Sequence, residues 1–276
     1  MAVASDIDRH YGGADISARI LHALAAAGRD IDCLTRADLV GFDEFHGGGI
    51  ASTRDLAHAA GLTAGLKVLD VGCGIGGPAR TLAAEFGCQV TGVDLTAEFV
   101  RAAQMLTARL GMAAVCHFIE ASATALLFPD HSFDVVWSQN MLMNVADKPA
   151  FFAEVARVLQ PGGRFAFEAV LTGDGRAIHQ PTFWAATPAI NFLVTRSVLE
   201  QGLRKAGLRP VAATDTTAQV MANGRLRKAA IEAHDPTQLS IDVIVADDVE
   251  IKINNMLKNN EEGRTVTLKA VYRRDP

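Results

Sequence analysis

Val68-Leu69-Asp70-Val71-Gly72-Cys73-Gly74-Ile75-Gly76-Gly77 runs an apolar strand into a glycine turn and then a helix. Glycines at 72 and 74 let the backbone turn with positive φ and let a ligand approach it closely, while the helix starting near Gly77 aims free N–H groups at an anion. Gly72, Gly74 and Gly77 also fit the dinucleotide pattern GxGxxG, so the turn alone leaves two ligands open, a nicotinamide dinucleotide and S-adenosylmethionine. Charge separates them. Asp70, two residues before the first glycine at the carboxyl end of the strand, repels a pyrophosphate but attracts the ammonium and sulfonium of S-adenosylmethionine. The next strand ends Gly92-Val93-Asp94-Leu95, which sets the Asp94 carboxylate beside the turn, where it can accept from both hydroxyls of a ribose.

Holding these groups together requires a sheet. From Lys67 onward, short apolar runs alternate with amphipathic segments, the pattern of βαβ units around a parallel sheet. Strands are expected at about 67–72, 89–94, 115–120, 133–138, 164–171, 209–214 and 265–272. Helices are expected over Pro78–Phe86, over Ala97–Leu110 with Thr96 as cap, over Lys148–Leu159 and over 196–206. Ahead of the sheet, the spacing predicts a helix over Asp15–Ala27, a short one from Thr35, and one capped by Ser52 or Thr53 that runs through Ala60. Between the last two, Gly41–Gly49 (GFDEFHGGG) is too rich in glycine for either regular structure and reads as a loop or hinge.

Two long segments, 172–194 and about 216–262, interrupt the second half and are expected to be lids or binding loops beside the ligand edge. The chain is therefore read as one domain over 1–276. It divides into an N-terminal helical cap (1–64), a donor-binding core (65–171) and an acceptor-side half (172–276).

The 276 residues are 49% hydrophobic and 21% charged, a balance that supports a sizeable core rather than a disordered chain. A formal net charge of -5 with no Lys/Arg cluster argues against a nucleic-acid partner. Cys33, Cys73, Cys88 and Cys116 lack ligand or disulfide-framework spacing, so no metal site is expected and a reducing cytoplasm is. The first residues, MAVASDIDRHYGG, read as no export signal, and no apolar run has the length to span a bilayer, so no membrane partner is expected.

The motifs at 68–77, at Asp94, at Phe133-Asp134-Val135-Val136-Trp137-Ser138-Gln139 and at Val158-Leu159-Gln160-Pro161-Gly162-Gly163 resemble, in order and spacing, those of class I methyltransferases. They cover about half the chain. Phe42–Gly48, Gly74–Arg80, Met143–Lys148 and the His179–Trp184 segment resemble a bacterial subgroup labelled sarcosine/dimethylglycine N-methyltransferase, itself similar to sugar and natural-product O-methyltransferases. The resemblance implies a Rossmann-like α/β sheet of seven strands, mostly parallel with the last antiparallel. It implies S-adenosylmethionine as cofactor, held by a donor set of Asp70, Gly72, Cys73, Gly74, Asp94, Leu95, Ser122, Ala123, Gln139 and Asn144. Within that set Gly72 and Gly74 lie under the methionine portion, Asp94 and Leu95 at the ribose and adenine, and Gln139 beside the donor. Two positions depart from the family: Ala121-Ser122-Ala123 stands where Gly-Asp-Ala is usual, so Ser122 offers the adenine amino group a weaker acceptor than a carboxylate, and Asn144 stands where many relatives carry a His base.

Methyl transfer from a sulfonium is an in-line displacement, and a base is needed only when the acceptor must lose a proton. Asn144 cannot supply one, which leaves Tyr11, His46 and His179 as catalytic candidates; Phe183 and Trp184 offer aromatic faces to a cationic product. The expected reaction is methyl transfer to a small-molecule acceptor, first an amine nitrogen of a glycine-type metabolite and otherwise a hydroxyl of a sugar, phenol or natural product. A nicotinamide-dependent oxidoreductase and a non-catalytic donor-binding protein are the competing readings, and the subunit count is open.

Overall fold

The computed structural model describes residues 6, 10–11, 15–233, 238–245 and 248–276. Helix α1 (Ile16–Ala26) begins where Asp15 accepts from the Ala18 N–H, and α2 (Arg36–Leu39) begins at a Thr35–Asp38 capping box. Helix α3 spans Gly49–Ala59 and so starts earlier than its hydroxyl residues suggest. Ser52 and Thr53 do not cap it; they are buried inside it and turn their hydroxyls onto buried carboxylates. The core then alternates β1 (Lys67–Val71), α4 (Gly77–Phe86), β2 (Gln89–Asp94), α5 (Ala97–Arg109), β3 (Cys116–Glu120), β4 (Phe133–Gln139), α6 (Lys148–Val158) and β5 (Leu159–Thr172). Thr96 stands at the N-cap of α5, yet its side chain makes no capping bond there.

After β5 comes a stretch with a single 3₁₀ turn (Pro188–Ile190), then α7 (Arg196–Lys205), β6 (Leu208–Asp215), α8 (Thr217–Glu232), α9 (Val249–Glu261) and β7 (Thr265–Arg274). The 216–262 segment, expected as a binding loop, thus builds two helices that pack on each other and on β7. Its helical period is faint because α8 buries only Val220 and Gly224.

The seven strands lie in the order β3-β2-β1-β4-β5-β7-β6. The first five are parallel, and β7 is antiparallel to both β5 and β6. Both faces are covered, so side chains alternate between two cores: Leu69, Val136, Phe151, Phe165 and Tyr272 on one side, Val68, Val135, Trp137, Leu56 and Leu82 on the other. Fully burying each such side chain contributes about 1.5–3 kcal/mol. For function, register matters more. Asp70 pairs with Gly92 and Trp137, Asp94 with Glu120, and Gln139 with Glu168, which brings the polar residues of adjacent strands to one edge. No helix among the described residues is long and apolar enough to cross a membrane.

Candidate active site

Strand order reverses between β1 and β4, and outside their carboxyl ends lies a cavity of about 340 Å³. Its floor is the glycine turn. Gly72 has φ +77° and sits so close to Met141 that a Cβ there would stand 2.4 Å from the Met141 Cγ, so no larger residue fits. The Gly74 N–H donates to Asp94 Oδ2 at 2.9 Å, and the Thr96 N–H donates to Asp94 Oδ1 at 2.9 Å. Asp94 is thereby clamped between two strand-end turns with its carboxylate on the cavity lining. Burial pushes its carboxyl above the usual carboxylate range, against the pull of these N–H donors.

Cys73, Leu95, Ser122, Ala123, Gln139 and Asn144 line the same cavity. The Ser122 hydroxyl lies 3.0 Å from that of Thr124. Asp70 is placed differently: it is buried beneath the turn instead of on the cavity wall, and its Oδ2 has no hydrogen-bond partner. Burial first, then repulsion from Glu44 and Asp94, raises its pKa to about 8. A clamped carboxylate on the cavity lining fits a ligand carrying a vicinal diol, as the ribose of S-adenosylmethionine does.

A second cavity, about 70 Å³, adjoins the first and shares Tyr11, Phe45, His46 and Asn140 with it. The segments outside the donor core build it: Phe183 and Trp184 come from the 172–194 stretch, Val220 and Arg227 from α8, Ile253 and Met256 from α9.

His46 stands in the wall common to both cavities. Its Nε2 lies 2.9 Å from Glu44 Oε2 and 3.1 Å from the Thr53 hydroxyl, and its Nδ1 is 3.7 Å from Glu168 Oε1, an ion-pair distance too long for a hydrogen bond. The Thr53 hydroxyl donates to Glu44 Oε2 at 2.8 Å and lies 3.1 Å from Gln139 Oε1, Thr81 donates to Glu44, and Ser52 donates to Glu168. Burial alone would lower the imidazole pKa; the Glu168 and Glu44 carboxylates outweigh it and hold the pKa at about 9. Burial would likewise raise both carboxyls, but the His46 charge keeps each below its ordinary value. At neutral pH the cluster is an imidazolium between two carboxylates.

The other candidates fall into place around it. The Tyr11 hydroxyl donates to Asn144 Oδ1 at 2.9 Å, and burial, then the Asp94 charge, keeps it protonated far above the ordinary phenol value. Asn144 Nδ2 donates onward to the carbonyls of Trp184 at 2.7 Å and Ile190 at 3.2 Å. The structure brings Tyr11 and His46 together but not His179, which lies outside both cavities. His179 Nε2 is 3.0 Å from Glu262, and its backbone N–H donates to Asn259.

Reading the sequence missed Glu44, Asn140, Glu168 and Arg227. A signal existed for two of them. Glu168 is the sole charge in Phe165–Leu171, a position a core strand tolerates only with a buried partner, and Glu44 flanks the one histidine of the glycine-rich loop.

With this geometry described, the likeness to known proteins is specific. Residues 69–167 match the methyltransferase domain family. Over its whole length the chain has the fold of the geranyl diphosphate C-methyltransferase of Streptomyces coelicolor A3(2), at 18% identity and a TM-score of 0.72, covering 99% of this chain and 98% of that one. A protein of Galdieria sulphuraria, provisionally named a sarcosine dimethylglycine methyltransferase, shares the fold at 20% identity and a TM-score of 0.69, over 82% of this chain and 84% of that one. In sequence, phosphoethanolamine N-methyltransferase 1 of Zea mays is 31% identical over 174 residues, 63% of this chain and 34% of the maize protein. The chain spans about a third of the length of such curated relatives. Residues 69–167 thus carry the methyltransferase domain match, and the chain as a whole shares the fold of these solved structures.

Proposed function

We propose that this chain transfers the methyl group of S-adenosylmethionine to an amine nitrogen of a small metabolite. One observation carries the choice of nitrogen: His46, the one imidazole on the shared wall, is held charged between Glu44 and Glu168 with its pKa at about 9. Such a group offers fixed charge at neutral pH, not a base. Tyr11 is kept protonated, and both ends of the Asn144 amide are committed to protein partners. An alcohol must shed a proton during transfer, whereas an amine arriving as free base needs no help.

When bound, the donor supplies an electrophilic methyl on a sulfonium. The protein's own part is to hold the diol on Asp94, exclude water with Phe45, Phe183 and Trp184, and present the acceptor across the shared wall. The test is a methyl-transfer screen of glycine, sarcosine and larger amines beside phenols and sugars, run from about pH 6 to 10. Turnover with amines is the expected result. Turnover confined to hydroxyl acceptors, with its alkaline limb near pH 9 where His46 becomes neutral, would overturn the choice of nitrogen.

A further inference from the structure

The smaller cavity is mostly apolar, walled by Phe183, Val220, Ile253 and Met256, and carries one guanidinium, that of Arg227. Arg227 sits on α8 between two cations of different disposition. Arg225 pairs with Glu261 at 2.9 Å, and Lys228 reaches Asn254 at 2.8 Å and Glu232 at 3.8 Å. Arg227 forms no ion pair among the described residues. Its single hydrogen bond among the described residues runs from Nη2 to the backbone carbonyl of Glu44 at 2.9 Å. The Glu44 carboxylate itself is taken by His46, Thr53 and Thr81.

A guanidinium is a planar fork of five donors suited to bidentate oxyanions, and a half-buried one without a counter-ion is costly. Burial accordingly lowers its pKa to about 10, against the opposing pull of Glu44. Its neighbours in the cavity do not complete it. Asn260 Oδ1 accepts from Thr265, and the buried Thr267 hydroxyl and Asn140 Oδ1 have no partner among the described residues. No carboxylate lines this cavity among the described residues.

We propose that Arg227 anchors an oxyanion, carboxylate or phosphate, at the far end of the acceptor, and that the acceptor is a short apolar-bodied molecule with its amine at one end and its acid at the other. This deepens the methyl-transfer reading and rests on it. Size sets the body. A water-sized position takes about 10–15 Å³ of such volume, so 70 Å³ holds roughly five to seven heavy atoms, the size of a short amino acid and far below a sterol. Charge sets the ends. Arg227 is the one guanidinium of the lining and binds the Glu44 backbone, while the Glu44 and Glu168 carboxylates stand behind His46.

The experiment uses the full chain saturated with S-adenosylhomocysteine and measures calorimetric binding of three matched sets of probes: β-alanine and 4-aminobutyrate, aminoalkyl phosphates of similar length, and the amides β-alaninamide and 4-aminobutanamide. The acids should bind at least tenfold tighter than the amides. R227M should abolish that preference, and R227K should recover part of it through a point charge without the fork. Preference for carboxylates over phosphates, or the reverse, names the source of the oxyanion. Acids binding no better than amides, or an acid preference that survives in R227M, overturns the proposal. S-adenosylhomocysteine affinity, measured on the same proteins, keeps the two readings apart. If it is intact while the acid preference is missing, only the role of Arg227 falls; if the unaltered chain does not bind it, the methyl-transfer reading falls.

Discussion

The two cavities share a wall but are built on different principles. The larger one is held by backbone: strand-end turns, an N–H on each Asp94 oxygen, and a glycine pressed against Met141, all within the sheet. The smaller one is made largely of side chains on segments that reach it from far along the chain, tied to the glycine-rich loop by hydrogen bonds such as Asn223 to the Gly47 carbonyl and Arg227 to the Glu44 carbonyl. Backbone geometry changes little with side-chain identity, whereas a side-chain wall changes with every substitution. The arrangement therefore separates a fixed donor grip from an adjustable acceptor grip, with the His46 cluster as the partition between them.

The strongest way to break this division is to break the partition. His46→Ala leaves Glu44 and Glu168 buried without their shared cation, and should cost about 3–5 kcal/mol of folding stability, read from denaturant unfolding. The pH dependence follows from the same group. Its folded pKa, about 9, lies above the ordinary 6.5, so its contribution is complete below about pH 6.5 and fades as the pH rises through 9. His46→Ala should remove that alkaline loss; an unchanged stability profile between pH 6 and 10 would show that the imidazolium does not hold the partition.

A cleaner cut touches the donor side alone. Asp94→Ala removes the clamp between two turns and should weaken S-adenosylhomocysteine binding by roughly tenfold or more in calorimetry. The acceptor KM at saturating donor should stay where it was. Equal damage to both constants would erase the distinction between the cavities.

The smallest effect belongs to Tyr11→Phe, which deletes one hydrogen bond of about 1 kcal/mol. Because Tyr11 walls both cavities, donor affinity and acceptor KM should each worsen by about fivefold, with no change in the pH profile. A loss confined to one ligand would show that Tyr11 serves only that side, and a shifted profile would make it an acid or base after all.

The same division governs what could be read before folding. Asp70, the glycine turn and Asp94 lie within a short stretch whose strand and helix periods are strong, and all seven strands were placed to within a few residues. Glu44 and Glu168 meet through a fold contact between a glycine-rich loop and a core strand, which no local period encodes, although one acid in an apolar strand points to it. The helices α8 and α9 escaped as helices because their inward faces are narrow, and with them went Arg227. His179 looked like a site residue from its neighbours in sequence. In the fold its backbone and ring tie the 172–194 stretch to Asn259 and Glu262 instead. Ser52 and Thr53 suggested a helix start because hydroxyls favour caps, but buried acids compete for the same hydroxyls and took them.

Asn144 holds Tyr11 with its oxygen and the carbonyls of Trp184 and Ile190 with its nitrogen, so a single amide spans the N-terminal segment and the 172–194 stretch. Tyr11 lines both chambers and its ring packs on Phe99, so pressure on that ring from either side is passed through one amide to the stretch that carries Trp184, and the two chambers share a mechanical link as well as a wall.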